Sequence, residues 1–118
     1  MAVTATRSQI ITYTVDVTGT ETISAASNAA SPGSVTLHTF TGAGFNTVTL
    51  PTGGSTVVSG TIVPPAGNTQ TITLKGVTGD TGVALHLTDP TTIAFASTVT
   101  TFGLTVGGTI TGLRIFWT

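Results

Sequence analysis

Few side chains in this sequence can do chemistry, and three of them cluster. The stretch GVTGDTGVALHLTDP, from Gly76 to Pro90, holds Asp80, His86 and Asp89; the remaining titratable side chains of interest are His38, Asp16, Glu21 and the three cations Arg7, Lys75 and Arg114. Two imidazoles and two carboxylates could hold a divalent metal if His38, His86, Asp80 and Asp89 converged. The spacing argues against it, since there is neither a paired-His motif nor an acidic calcium loop. Turn chemistry accounts for the same residues. Asp80 before Thr81-Gly82 can accept local backbone bonds while Gly82 supplies a positive φ, and Asp89 before Pro90 suits a turn cap. In GVALHL the alternation sets Val83, Leu85 and Leu87 on one face and His86 with Ala84 on the other. No metal and no cofactor is expected.

Catalytic readings fare no better. Asp80-Thr81-Gly82 has the form of the aspartic-protease triplet, where two chains bring two carboxylates together to share one proton. Here it follows VTG instead of an apolar strand. The nearest later supporting element, Ile110-Thr111-Gly112, lacks its second apolar residue. No Gly-x-Ser-x-Gly accompanies the many hydroxyls, and Lys75-Gly76 has no phosphate-binding glycine loop before it. The expectation is a protein that is not an enzyme, with no catalytic residue.

The elements that carry these residues are strands. Apolar residues alternate more often than they recur at three and four, and Thr, Val and Gly dominate. In QIITYTVDV, Ile11, Tyr13, Val15 and Val17 share one face and Thr12, Thr14 and Asp16 the other. Further strands are predicted at ETISA, SVTLHTF, NTVTL, TVVSGTIV, QTITLKG, GVALHL, TIAFA, TFGLTV and TITGLRIFW, with SAASNAASPGS as the longest loop and Pro64-Pro65 ending a strand. Thr-Gly recurs at irregular intervals, which is turn chemistry and no solenoid repeat. The fold class is all-β: a single-domain β-sandwich, jelly-roll-like, of about nine or ten short strands over residues 8–118, preceded by a flexible arm over 1–7.

Composition narrows the partners. The 118 residues suit one domain, and only 6% are charged, against about 25% in an ordinary soluble domain. Three scattered cations at net charge −1 cannot form the basic stripe that nucleic acid requires, so no nucleic acid is expected. No stretch approaches the ~18 unbroken apolar residues of a spanning helix, so no membrane is expected either. Thr, close to a quarter of the chain, keeps a β surface wet without charge. There is no cysteine and so no disulfide. MAVTATRSQI lacks the basic and apolar regions of an export signal, and release in the cytoplasm is the expectation.

Of the aromatic residues, most fall at core-phase positions, and only Phe45 in TGAGFN and Trp117 near the end read as free. In GGTITGLRIFWT, Thr111, Leu113, Ile115 and Trp117 alternate with Ile110, Gly112, Arg114 and Phe116. Both faces are apolar, so both are expected to be covered, and Arg114 to need a carboxylate or carbonyl partner among apolar neighbours. The candidate interface residues are Phe45, Arg114, Phe116 and Trp117.

In composition, size and pattern the chain resembles the small β-sandwich decoration, fibre or collar proteins of tailed phages. TITLKGVTGDTGVALHLTD and GGTITGLRIFWT carry the resemblance. It implies a virion component made in the host cytoplasm, acting beside partners such as a major capsid protein. Low charge density removes repulsion and desolvation cost between packed copies, so a homo-oligomer is expected, a trimer being one closed form. The alternative is a carbohydrate-binding or adhesive module that takes a surface glycan on an exposed ring.

Overall fold

A computed structural model describes residues 5–15, 19–30, 34–51 and 59–118, with side chains for 35–51 and 59–118. The described residues are all-β, with no helix. The strands are β1 (Ala5–Val15), β2 (Gly19–Ala30), β3 (Ser34–Phe40), β4 (Gly44–Thr49), β5 (Ser59–Val63), β6 (Ile72–Lys75), β7 (Val83–Ala84), β8 (Thr91–Ala94), β9 (Thr101–Val106) and β10 (Ile110–Trp117). Two antiparallel four-stranded sheets form, in the orders β3-β10-β5-β8 and β4-β9-β6-β7, and β1 and β2 pair with each other as a separate two-stranded ladder.

The first two strands depart from the sequence reading. β1 starts at Ala5, inside the segment expected as an arm, and Ala5 pairs with Ala30. SAASNAASPGS, read as a loop because Ala, Ser and Asn are poor strand formers, contributes Ser24 through Ala30 to β2. Backbone pairing with β1 overrides composition there. The surplus residue of β2 is taken up by a register shift between Arg7 and Gln9.

The core lies between the two four-stranded sheets. One supplies Ile62, Leu113, Ile115 and Trp117, the other Val48, Ile72, Leu104 and Val106, all buried. Each such side chain gains about 1.5–3 kcal/mol on leaving water, which is what holds two sheets without a staple. An aromatic group crosses the layers: Phe102 lies 6.2 Å from Trp117, and Phe95 lies 5.4 and 6.3 Å from the two of them. β5 ends at Val63, where Pro64 and Pro65 deny the ladder its donors.

β10 corrects the alternation read from its sequence. Thr111 pairs with Thr39 but Leu113 pairs with His38, so Gly112 is an extra residue, and its φ of 85° is one that glycine adopts without strain. The bulge shifts the phase, and buried Ile110 joins Leu113, Ile115 and Trp117 on the core side. Beyond the bulge the other face carries only Arg114, exposed, and Phe116, half-buried.

Candidate interaction faces

From Val35 to His38, β3 is built the wrong way round for an ordinary sandwich strand. Val35, 54% exposed, and Leu37, 71% exposed, point to solvent while the polar Thr36 and His38 point inward; at the strand's end the ordinary sense returns, with Thr39 exposed and Phe40 in the core. A reason exists on the inner side. Trp117, buried on the neighbouring strand, donates its Nε1–H to Thr36 Oγ1 at 2.9 Å, and Thr36 Oγ1 lies 2.8 Å from His38 Nε2. A buried indole N–H needs an acceptor, and a valine or leucine at position 36 would supply none. The imidazole stacks on Phe40 at 5.9 Å, and burial lowers its pKa below the ordinary 6.5, favouring the neutral ring.

The outer side of the same sheet is thereby left apolar at one end. Register places Leu37, Arg114 and Val63 in one row across β3, β10 and β5, and Val35, Phe116 and Thr61 in the next. Arg114 lies over the Phe116 ring, its guanidinium carbon 5.6 Å from the centroid. Such a stack contributes about 0.5–1 kcal/mol at an exposed site. Arg114 was expected among apolar residues with a carboxylate or carbonyl partner. It is exposed, and among the described residues it has a ring for a partner and no carboxylate. Toward β8 the face turns polar, with Thr61 and Thr92 sharing a hydroxyl hydrogen bond of 2.9 Å.

Trp117, read as free, is 1% exposed and belongs to the core. Thr118 pairs its backbone with Ser59, the two amides donating to opposite carbonyls at 2.9 Å, and the ladder runs on past the indole.

Phe45 lies on the outer side of the second sheet. Phe102 and Leu104 are buried inward, so Gly103 between them faces out, and a Cβ added there would collide with Phe45 Cε2 and Cζ. The ring therefore rests in the notch that Gly103 leaves, half-covered, beside the outward Thr47 and Thr105. Thr105 Oγ1 is buried there without a hydrogen-bond partner.

The polar stretch resolves into turns. Asp80 Oδ2 accepts the backbone N–H of Gly76 and of Val77, each at 3.0 Å, and Gly82 has a φ of 75° with Leu74 O only 2.5 Å from where a Cβ would stand. The second turn is capped by His86 in place of Asp89: His86 Nδ1 accepts from Asp89 N at 2.9 Å and Thr88 N at 3.2 Å. β7 stops at Ala84 as this turn begins, so Leu87 is exposed and the predicted alternation through GVALHL ends early. Among the described residues no three His, Asp or Glu side chains gather as a metal site.

Val35, Leu37 and Val63 were missed as surface residues, because alternation alone assigns apolar positions to the core. The signal that could have found them is that Trp117 on the neighbouring strand needs an acceptor, and Thr36, which pairs opposite Ile115 beside it, puts one on the inner face. Comparison with protein families, curated proteins and solved structures gives no match for this chain.

Proposed function

We propose that this protein is a non-enzymatic assembly subunit of a virion, of the capsid-decoration or head- or tail-associated kind, made in a host cytoplasm and working through contacts between its own copies and with a larger protein lattice. The observation that carries this reading is the inverted strand β3. A chain that turns Val35 and Leu37 outward beside Phe116 exposes apolar surface that a second protein would cover. Its low charge density suits close packing of copies.

The strand order supports a jelly roll. Numbered from β3 as first to β10 as eighth, the sheets run 1-8-3-6 and 2-7-4-5, so successive strands alternate between layers except the fourth and fifth, which pair with each other within one sheet. That architecture serves viral capsid proteins and lectins alike, the two classes of protein considered for this chain. Native mass spectrometry of the purified chain tests the assembly reading: a discrete homo-oligomer at micromolar concentration is expected, and a strict monomer would overturn it.

A second reading rests on Phe45. A half-covered ring lying on a sheet's outer face with the exposed Thr47 beside it resembles a stacking platform for a sugar. Glycan-array binding by the wild type, lost in Phe45→Ala with the fold intact, would favour an adhesive module over a purely structural one.

A further inference from the structure

We infer that the contact between copies is made edge to edge by β3, two β3 strands pairing antiparallel across a two-fold axis to join the sheets β3-β10-β5-β8 of two copies into one sheet of eight strands. The inference rests on the homo-oligomer reading above and names its interface.

Three observations single out this edge. β3 is an edge strand, so among the described residues one side of its backbone has no ladder partner, and the partner such an edge fits is another strand. Its sequence, SVTLHTF, has none of the devices that blunt an edge: no lysine, no proline and no acidic residue. The apolar part of the outer face, Val35 and Leu37 with Phe116, lies at the β3 end of the sheet and gives way to hydroxyls toward β8. Pairing at this edge would bring the Val35 and Leu37 of two copies together as cross-strand neighbours.

The other edges are less suited. β7 has two residues, and β8 has four and follows Pro90. β4 has six, but Asn46 Nδ2 donates to the carbonyls of Gly44 and Leu104 at 3.3 and 3.4 Å, and Phe45 is folded onto its own sheet. The Trp117–Thr36–His38 contacts also fix the inward side chains of β3, leaving Val35 and Leu37 outward at this edge.

A second copy is the occupant because of charge. Across a two-fold axis a strand meets itself, so a charged residue near the axis would face its own copy and repel it. β3 carries no Asp, Glu, Lys or Arg, and its one titratable group, His38, points to the inner side.

The test is a lysine on the exposed face. Leu37→Lys removes no core side chain and places two like charges at the proposed contact, with Val83→Lys, 63% exposed on β7, as the control. Thermal melting and circular dichroism verify that both variants fold. The wild type is expected to have an even-numbered native mass that drops to half, or to a monomer, in Leu37→Lys and stays whole in Val83→Lys, while Leu37→Val restores it. An oligomer of odd number, or one indifferent to Leu37→Lys, would overturn the β3 contact while leaving the assembly reading in place. A monomeric wild type would overturn both.

Discussion

Trp117 Nε1 donates to Thr36 Oγ1 at 2.9 Å, joining residues 81 positions apart on adjacent strands. This bond decides which side of β3 faces the core. Thr36→Val keeps the shape and removes the acceptor, leaving a buried N–H without a partner, which costs about 1–3 kcal/mol. A lower denaturation midpoint with an unchanged denaturant slope is the expected result. No loss would mean that the hydroxyl does not set the strand's orientation.

His38 makes stability depend on pH. The unfolded chain binds a proton as pH falls through 6.5, whereas burial keeps the folded imidazole neutral to a lower pH. Within that window the unfolded state holds more protons, so unfolding free energy falls as pH falls. Above 6.5 this group adds no slope, and below its folded value the loss is complete. Denaturation midpoints on either side of 6.5 should therefore differ for the wild type and differ less for His38→Gln.

Phe45 and Gly103 form a coupled pair on the other sheet. Gly103→Ala forces the ring out of its notch, and because the ring is partly exposed it can swing away without moving backbone. The expected cost is modest, about 1 kcal/mol, and most of it should vanish in a Phe45→Ala background. A double-mutant cycle with no coupling would contradict the packing described.

Much of this fold was legible in the chain. SVTLHTF and TFGLTV are strands β3 and β9 to the residue, and Pro64-Pro65 ends β5 as read. Asp80 accepts the turn amides expected of it, and Gly82 has the expected positive φ. What failed depends on partners distant in sequence. The phase of Ile110 changes because Gly112 bulges against β3, which no local alternation encodes. Ser24 through Ala30 become strand because β1 lies alongside. The outer face of β10 was misread for the same reason: Arg114, expected under cover, is exposed beside half-buried Phe116, Trp117 is in the core, and Val35 and Leu37 face outward.

The adjacent residues Phe116 and Trp117 should separate folding from assembly. Trp117 is fully enclosed, beside the stacked pair Phe95 and Phe102 and against Gly60, whose added Cβ would stand 3.0 Å from the indole. Trp117→Ala leaves a large cavity and takes away the donor to Thr36, and truncating a buried aromatic costs about 3–5 kcal/mol. Against the 5–15 kcal/mol typical of a domain, that is enough to leave much of the protein unfolded or insoluble. Removing residues 113–118 takes most of β10 from between β3 and β5 and should abolish the fold. Phe116→Ala loses only the half-exposed ring under Arg114, so the core should survive while the outer face shrinks. Soluble yield and near-ultraviolet circular dichroism are expected to collapse for Trp117→Ala and hold for Phe116→Ala, whose native mass alone should fall. Equal damage from both would show that Phe116 is a core residue and that the outer face of β10 is no interface.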